Sequence, residues 1–250
     1  MWGSGPGDVF VVGAQYPAQV GVVLHFNGQS WARTELPARQ LHAVFGTGPK
    51  DVLVAGQAPA EEGSGLNGII LRWDGTSWTV SHDRMAGFFR SIWGSAQNNI
   101  WVVGSGREPD GDYASLLLHW DGTRWSESYV CNPEGPRSAS GGWLAVLNDV
   151  YGVSGGPVFS AGQCQSAASF TPYGYVAQND GTGWSDTAGF GFGERLRTHE
   201  RQFVLGHDDR VHGAVAVDVD QQHGLDLGLV GGALVVRHEL SRASRPGGPA

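Results

Sequence analysis

The chain has 250 residues, 40 of them Gly and 10 Trp, with only 16% charged residues and a net charge of −8 from 16 basic and 24 acidic side chains. Glycine at about twice its usual ~7% share, combined with 10% aromatics, excludes a helical bundle and a disordered chain, and fits many short strands joined by tight turns. An acidic balance with a single Lys, Lys50, excludes nucleic acid and anionic membrane surfaces as partners, because both require clustered positive charge.

From the N-terminus, two anchors recur. The first is an aromatic residue followed eleven positions later by Gly: Trp2 to Gly13, Phe45 to Gly56, Trp93 to Gly104 and Tyr151 to Gly162. The second is an aromatic-Asp-Gly-Thr-x-Trp hexad, seen as Phe26-Asn27-Gly28-Gln29-Ser30-Trp31, as Trp73 to Trp78, as Trp120 to Trp125, and less cleanly as Asn179 to Trp184. Two anchors in the same order define four copies, over residues 1–40, 41–90, 91–143 and 144–186. Within the second copy, Leu41 to Gly46, Asp51 to Gly56, Gly68 to Trp73 and Ser77 to Ser81 read as strands bounded by turn residues. Four strands in about 47 residues make one blade of a propeller, so the expected fold is all-β: a β-propeller of four-stranded antiparallel blades.

The first turn of each copy, such as Ser4-Gly5-Pro6-Gly7-Asp8 or Thr47-Gly48-Pro49-Lys50-Asp51, uses Pro to preset φ and Gly to supply a positive φ. The turn between third and fourth strands carries Asn27-Gly28, Asp74-Gly75, Asp121-Gly122 and Asp180-Gly181, a strong hairpin signal. The third strands Val22-Val23-Leu24, Ile69-Ile70-Leu71 and Leu116-Leu117-Leu118 are unbroken apolar runs, which predicts burial on both faces, as in a sheet sandwiched between neighbours. The slot before each hexad holds His25, Arg72, His119 and Gln178. It reads as a polar strand-end position bonding to the nearby Asp-Gly turn.

Up-and-down strand order collects the fixed turns on one rim and the variable connections on the other. Function on repeat scaffolds sits in such variable loops. The candidate binding residues on that rim are Tyr16, Glu61, Glu62, Asp110, Asp112, Tyr113, Tyr129, Trp143 and Tyr173. Cys131, in the long excursion Ser126 to Trp143 of the third copy, and Cys164, in the next copy's second-to-third loop, fall on the same rim. A disulfide between them would contribute roughly 3–4 kcal/mol by loop entropy, and two unpaired thiols are the alternative. Asp110-Gly111-Asp112 lacks the ligand series and terminal Glu of a calcium loop, and His207-Asp208-Asp209 with His212 has irregular spacing for a metal. Neither a metal nor a cofactor is expected. No serine-hydrolase elbow, Walker loop, Rossmann fingerprint or zinc-protease motif occurs, and no catalytic residue is assigned.

Residues 187–250 contain neither Trp nor Tyr nor a hexad. They read either as a degenerate fifth blade or as an irregular tail. Fifteen Arg against one Lys suggests a GC-rich coding sequence, in which a frameshift or gene fragment would read this way. The N-terminus carries neither the basic region nor the apolar core of an export signal, and no apolar run reaches the roughly 18 residues that span a bilayer.

With Trp93-Gly94-Ser95, Ile100-Trp101-Val102-Val103-Gly104 and Leu118-His119-Trp120-Asp121-Gly122-Thr123-Arg124-Trp125, the chain resembles bacterial propeller repeat proteins of unassigned activity, over residues 2–184. The resemblance implies a secreted, periplasmic or surface location for a full-length parent. The hexad is also distantly similar to the Asp-box turn of sialidase-type propellers, although there Asp and Gly are separated by one residue, and no arginine cluster or nucleophilic Tyr-Glu pair matches. The expected function is a non-enzymatic scaffold that binds a protein or glycan through the variable rim. The alternative is a carbohydrate-active, sialidase-like propeller, and an incomplete ring would favour oligomerisation.

Overall fold

The structure is a computed structural model that describes residues 1–59, 67–84, 87–107, 113–131, 146–165 and 172–192, together with four later strands. Its elements in chain order are β1 (Trp2–Gly5), β2 (Asp8–Gln15), β3 (Val20–Phe26), β4 (Trp31–Leu36), β5 (Gln40–Gly48), β6 (Asp51–Ala58), β7 (Asn67–Trp73), β8 (Trp78–Arg84), β9 (Gly87–Ala96) and β10 (Asn99–Arg107). There follow β11 (Tyr113–Trp120), β12 (Trp125–Val130), β13 (Val146–Gly152), β14 (Val158–Gln165), β15 (Pro172–Asn179), β16 (Trp184–Phe192), β17 (Leu196–Glu200), β18 (Val215–Val219), β19 (Leu225–Val230) and β20 (Ala233–His238). The first sixteen strands form four antiparallel sheets, each in simple sequential order, while β17 pairs with β18 and β19 with β20. The fold is therefore an all-β propeller with four four-stranded blades.

The repeat anchors turn out to be the joints between blades. A Cβ placed on Gly46 would lie 2.5 Å from the ring of Trp2, one on Gly94 2.8 Å from Phe45, and one on Gly152 2.6 Å from Trp93. Each anchor aromatic thus packs directly against the glycine that follows the next blade's aromatic, and any side chain there would clash with the ring. The glycine eleven residues on has a separate cause. Cβ atoms on Gly56, Gly104 and Gly162 would each sit 2.0 Å from a first-strand carbonyl, those of Gln40, Phe88 and Val146. At these places the first strand bulges, between Leu41 and Ala43, Phe89 and Ser91, and Leu147 and Asp149, so that its backbone crosses over the glycine.

Three apolar clusters fill the three joints. Phe10, Val23 and Leu36 of the first blade meet Leu41, Val54 and Leu71 of the second. Leu53, Ala55 and Ile70 meet Phe89, Val102 and Leu118. Trp101, Val103 and Leu117 meet Leu147, Val158 and Tyr175. The unbroken apolar runs are buried on both faces in the second and third blades, as Ile69, Ile70 and Leu71 and all of Leu116, Leu117 and Leu118 show. The first blade departs from that expectation. Val23 is buried, but Val22 is only partly so and Leu24 is 36% exposed.

Candidate functional site

The two rims differ chemically. On the fixed rim, every third-to-fourth turn is held by its own carboxylate or amide. Asp74 Oδ1 accepts from the Thr76 N–H and hydroxyl, both at 2.7 Å, and from the Ser77 N–H at 2.8 Å. Asp121 repeats this with the N–H and hydroxyl of Thr123 and the N–H of Arg124, Asp180 with Thr182, and Asn27 with the N–H groups of Gln29 and Ser30. The following glycines take φ of +91° to +99°, whereas the Asp and Asn residues do not enter the left-handed region. The Asp therefore works through its side chain, as an Asx turn. The Thr76 hydroxyl, then the N–H groups of Ser77 and Thr76, hold Asp74 well below the usual carboxylate range; Thr123 and Arg124 bring Asp121 down to about 2; and Thr182 lowers Asp180. Carboxylates so held are poor proton donors and acceptors near neutral pH.

The slot before each hexad corrects the expectation that it bonds to the Asp-Gly turn. His25 Nε2 lies 2.6 Å from Asp8 Oδ1, and the Ser4 hydroxyl donates to Asp8 Oδ2 at 2.5 Å. Arg72 Nε donates to Asp51 Oδ1 at 2.7 Å, with Thr47 on the other oxygen at 2.5 Å. In the third blade Asn99 takes the central place, between Ser95 at 2.7 Å and His119 at 2.9 Å, and also accepts from the Trp101 indole at 3.1 Å. The reason is the register: the slot residue is directly opposite the second residue after this Asp or Asn, in the pairs Phe10–His25, Leu53–Arg72 and Trp101–His119. The imidazoles stack on their partners, His25 on Phe10 at 3.9 Å and His119 on Trp101 at 4.1 Å between ring centroids. Serine, acid and histidine are all present in the first blade, yet the carboxylate stands between the other two. The hydroxyl therefore touches no base, and the arrangement is a latch and not a nucleophile-activating triad. The sequence carries a signal for it that the motif search missed: a Ser or Thr four residues before the Asp or Asn that opens the second strand, as in Ser4 and Asp8, Thr47 and Asp51, Ser95 and Asn99.

On the variable rim, Tyr16 lies in the connection after β2 and is 67% exposed. Tyr113 and Tyr173 sit at the rim ends of β11 and β15, where they pair with Arg107 and with Cys164. Tyr129 lies near the rim end of β12, partly buried against the second-to-third joint, and its hydroxyl donates to Glu127 Oε2 at 2.7 Å. Strand direction thus brings the four tyrosines to the same rim. Glu61, Glu62, Asp110, Asp112 and Trp143 lie outside the described residues, as do His207, Asp208, Asp209 and His212.

Cys131 and Cys164, 33 positions apart in sequence, are joined by a disulfide, with Cα atoms 5.8 Å apart. The bridge ties the end of β12 in the third blade to β14 in the fourth. The Cys131 N–H, on a residue with φ of 60°, donates to the buried Tyr175 hydroxyl at 3.1 Å, so a second bond reinforces the same joint. Tyr175 carries no repeat signature, and sequence reasoning had no reason to single it out. Among the described residues no three His, Cys, Asp or Glu side chains gather as a metal site, and no helix is long and apolar enough to cross a membrane.

No protein-family model and no curated protein matches the chain. Among solved structures it is similar to a fucose lectin from Kordia zhangzhouensis in complex with methyl-fucoside, at 14% identity over 58% of this chain and 96% of the lectin, with a TM-score of 0.38. It is also similar to the β-propeller domain of the Trilobed protease from Pyrococcus furiosus, described as having an open velcro topology, at 12% identity over 90% of this chain and 69% of that one, with a TM-score of 0.45.

Proposed function

We propose that the chain is a non-enzymatic binding scaffold that presents its variable rim to a protein or a glycan. The observation that carries this reading is the contrast between the rims. The polar groups of the fixed rim hydrogen-bond one another in the Asx turns and latches, so their bonding capacity is used within each blade. The variable rim instead offers connections of different length and the exposed ring of Tyr16. Aromatic side chains of this kind supply large contact area at low entropic cost, for a sugar face or for a protein surface. We further infer a location outside the cytoplasm, supported by the disulfide, which persists in oxidising compartments.

The test is a glycan array and a protein-capture screen with the full chain, run beside a panel of chromogenic glycosides. The expected result is binding that Tyr16→Ala weakens, without turnover of any glycoside. Turnover abolished by Glu61→Gln or Glu62→Gln would overturn the scaffold reading in favour of a carbohydrate-active one.

A further inference from the structure

The bulges that carry a carbonyl across Gly56, Gly104 and Gly162 each insert one extra residue into a first strand. These residues are His42, Arg90 and Asn148, and none is opposite a residue of the second strand. Their neighbours on both sides are paired: Leu41 with Gly56 and Ala43 with Ala55, Phe89 with Gly104 and Ser91 with Val103, Leu147 with Gly162 and Asp149 with Ala161. The neighbours are also committed to the joints. Leu41 fills the first joint, Phe89 the second and Leu147 the third, while Ala43 packs on the second. An extra residue in a bulge is released from the alternation of the strand, and its side chain is re-aimed. Three blades place a polar side chain there, directly after an apolar one.

The three residues share one level of the structure. Each follows closely on the start of its strand, beside the end of the second strand, as Gln40 opposite Gln57 shows, so all three belong to the variable-rim side. Strand β9 lies against both β5 and β13, so the first strands converge at the inner edge of the blades. A polar contact already spans two of them there: the Ser91 hydroxyl donates to Asp149 Oδ1 at 2.6 Å, and the same oxygen accepts from the Val150 N–H at 3.0 Å. Arg90 is exposed, with its guanidinium carbon 5.0 Å from the centre of the Phe88 ring. His42 is half-buried, and its Nε2 is shielded from solvent with no hydrogen-bond partner among the described residues. Burial, and after it the Arg90 charge, hold His42 below its ordinary value, which shows that the positive field of the third blade reaches the imidazole of the second.

We propose that His42, Arg90 and Asn148 form an anion-binding site at the inner edge of the variable rim, which takes the sulfate, phosphate or carboxylate group of a ligand. The inference rests on the reading of this rim as the binding face and names the chemistry it selects. A buried ring nitrogen without a partner calls for one, and the imidazole Nε2 can donate to an oxygen. The guanidinium fork matches the spacing of oxyanion oxygens and supplies the charge, and the Asn148 amide adds a neutral donor. An anion beside His42 and Arg90 also relieves the repulsion between an imidazolium and a guanidinium. The nearby carboxylate of Asp149 does not compete for these donors through Oδ1, which Ser91 and the Val150 N–H already serve.

The probes are sodium sulfate, inorganic phosphate and sodium acetate, each titrated into the full chain at constant ionic strength. Nitrogen-correlated NMR spectra of the histidine rings report the site, with the His42 signal assigned by its loss in His42→Gln. The expected result is a saturable shift of that signal, and the anion that saturates it at the lowest concentration identifies the group. Arg90→Gln should weaken the binding at least about tenfold, and Asn148→Ala about two- to threefold. Both variants should melt within a few degrees of the parent, because neither side chain belongs to a joint cluster. A His42 signal that no anion moves up to about 50 mM would overturn the proposal. So would a shift that Arg90→Gln leaves unchanged, which marks an adventitious ion only. The scaffold reading is tested apart from this: ligands weakened by Tyr16→Ala while the anions leave His42 unmoved would sink the anion site alone. Anion binding through Arg90 in a chain that captures no glycan or protein would sink the scaffold reading and leave the site standing.

Discussion

Replacing Gly56 by Ala puts a methyl group 2.0 Å from the Gln40 carbonyl oxygen and 2.9 Å from the Leu41 Cα. Both are backbone atoms, so no rotamer change relieves the contact, and the first strand must move by at least 1 Å to restore a separation near 3 Å. The strand is fixed by its ladder to β6 and by Leu41 in the first joint. Overpacking of this kind costs typically 1–3 kcal/mol, and a strained ladder bond adds about 1 kcal/mol. The stiffer unfolded chain of an alanine variant returns about 0.4–1 kcal/mol, which leaves a net loss of about 1–3.5 kcal/mol. At roughly 2–4 °C per kcal/mol for a chain of this size, the midpoint should fall by about 2–14 °C. Gly104→Ala and Gly162→Ala, with the same 2.0 Å contact, should behave alike. Gly13→Ala is the internal control: the repeat position is the same and the space is empty, so only the unfolded-state term acts and the midpoint should hold or rise slightly. Thermal and urea unfolding followed by tryptophan fluorescence reads all four variants. Equal effects at Gly13 and Gly56 would refute the reasoning, because the repeat would then demand glycine for a cause other than the crossing carbonyl.

Removing the bridge by Cys131→Ala with Cys164→Ala should cost about 3–4 kcal/mol for the loop it closes, read by urea unfolding, and adding reductant to the double variant should then change nothing. Arg72→Met should destabilise by about 2 kcal/mol, since Asp51 at 7% exposure loses its ion pair while Arg72 itself is partly solvated. A double-mutant cycle with Asp51→Asn should show coupling, and strict additivity would count against the latch. Stability should fall in two stages on acidification. Burial, with Arg90 acting on His42, holds His42 and His119 below the ordinary imidazole value of 6.5, so the unfolded chain takes up these protons first and stability declines as pH drops below that value. Asp74, Asp121 and Asp180 are lowered carboxylates, whose contribution is complete above about pH 4 and is lost on the way to about pH 2. Melting midpoints from pH 8 to pH 2 should show both declines, and His42→Gln with His119→Gln should flatten the first.

The four strands of each blade and their order were legible in the sequence because they rest on local chemistry. A Gly after Asp or Asn fixes each hairpin, and apolar runs of four or five residues between turns can only be short strands. The rims were equally legible, since strand alternation alone sends Tyr16, Tyr113, Tyr129 and Tyr173 to one end and Asp74, Asp121 and Asp180 to the other. The partners of the slot residues were not. His25, Arg72 and His119 are near Asp-Gly turns in sequence, but register places them against Asp8, Asp51 and Asn99, some twenty residues away. The cause of the repeat glycine was hidden for a related reason. Gly13 and Gly56 are the same letter at the same repeat position, and Val11-Val12 is as apolar as Val54-Ala55. What distinguishes them is that the Gln40 carbonyl crosses Gly56, whereas nothing lies within 4 Å of a Cβ on Gly13. Periodicity encodes what each blade brings to its neighbours, while packing alone decides which atoms meet at each joint.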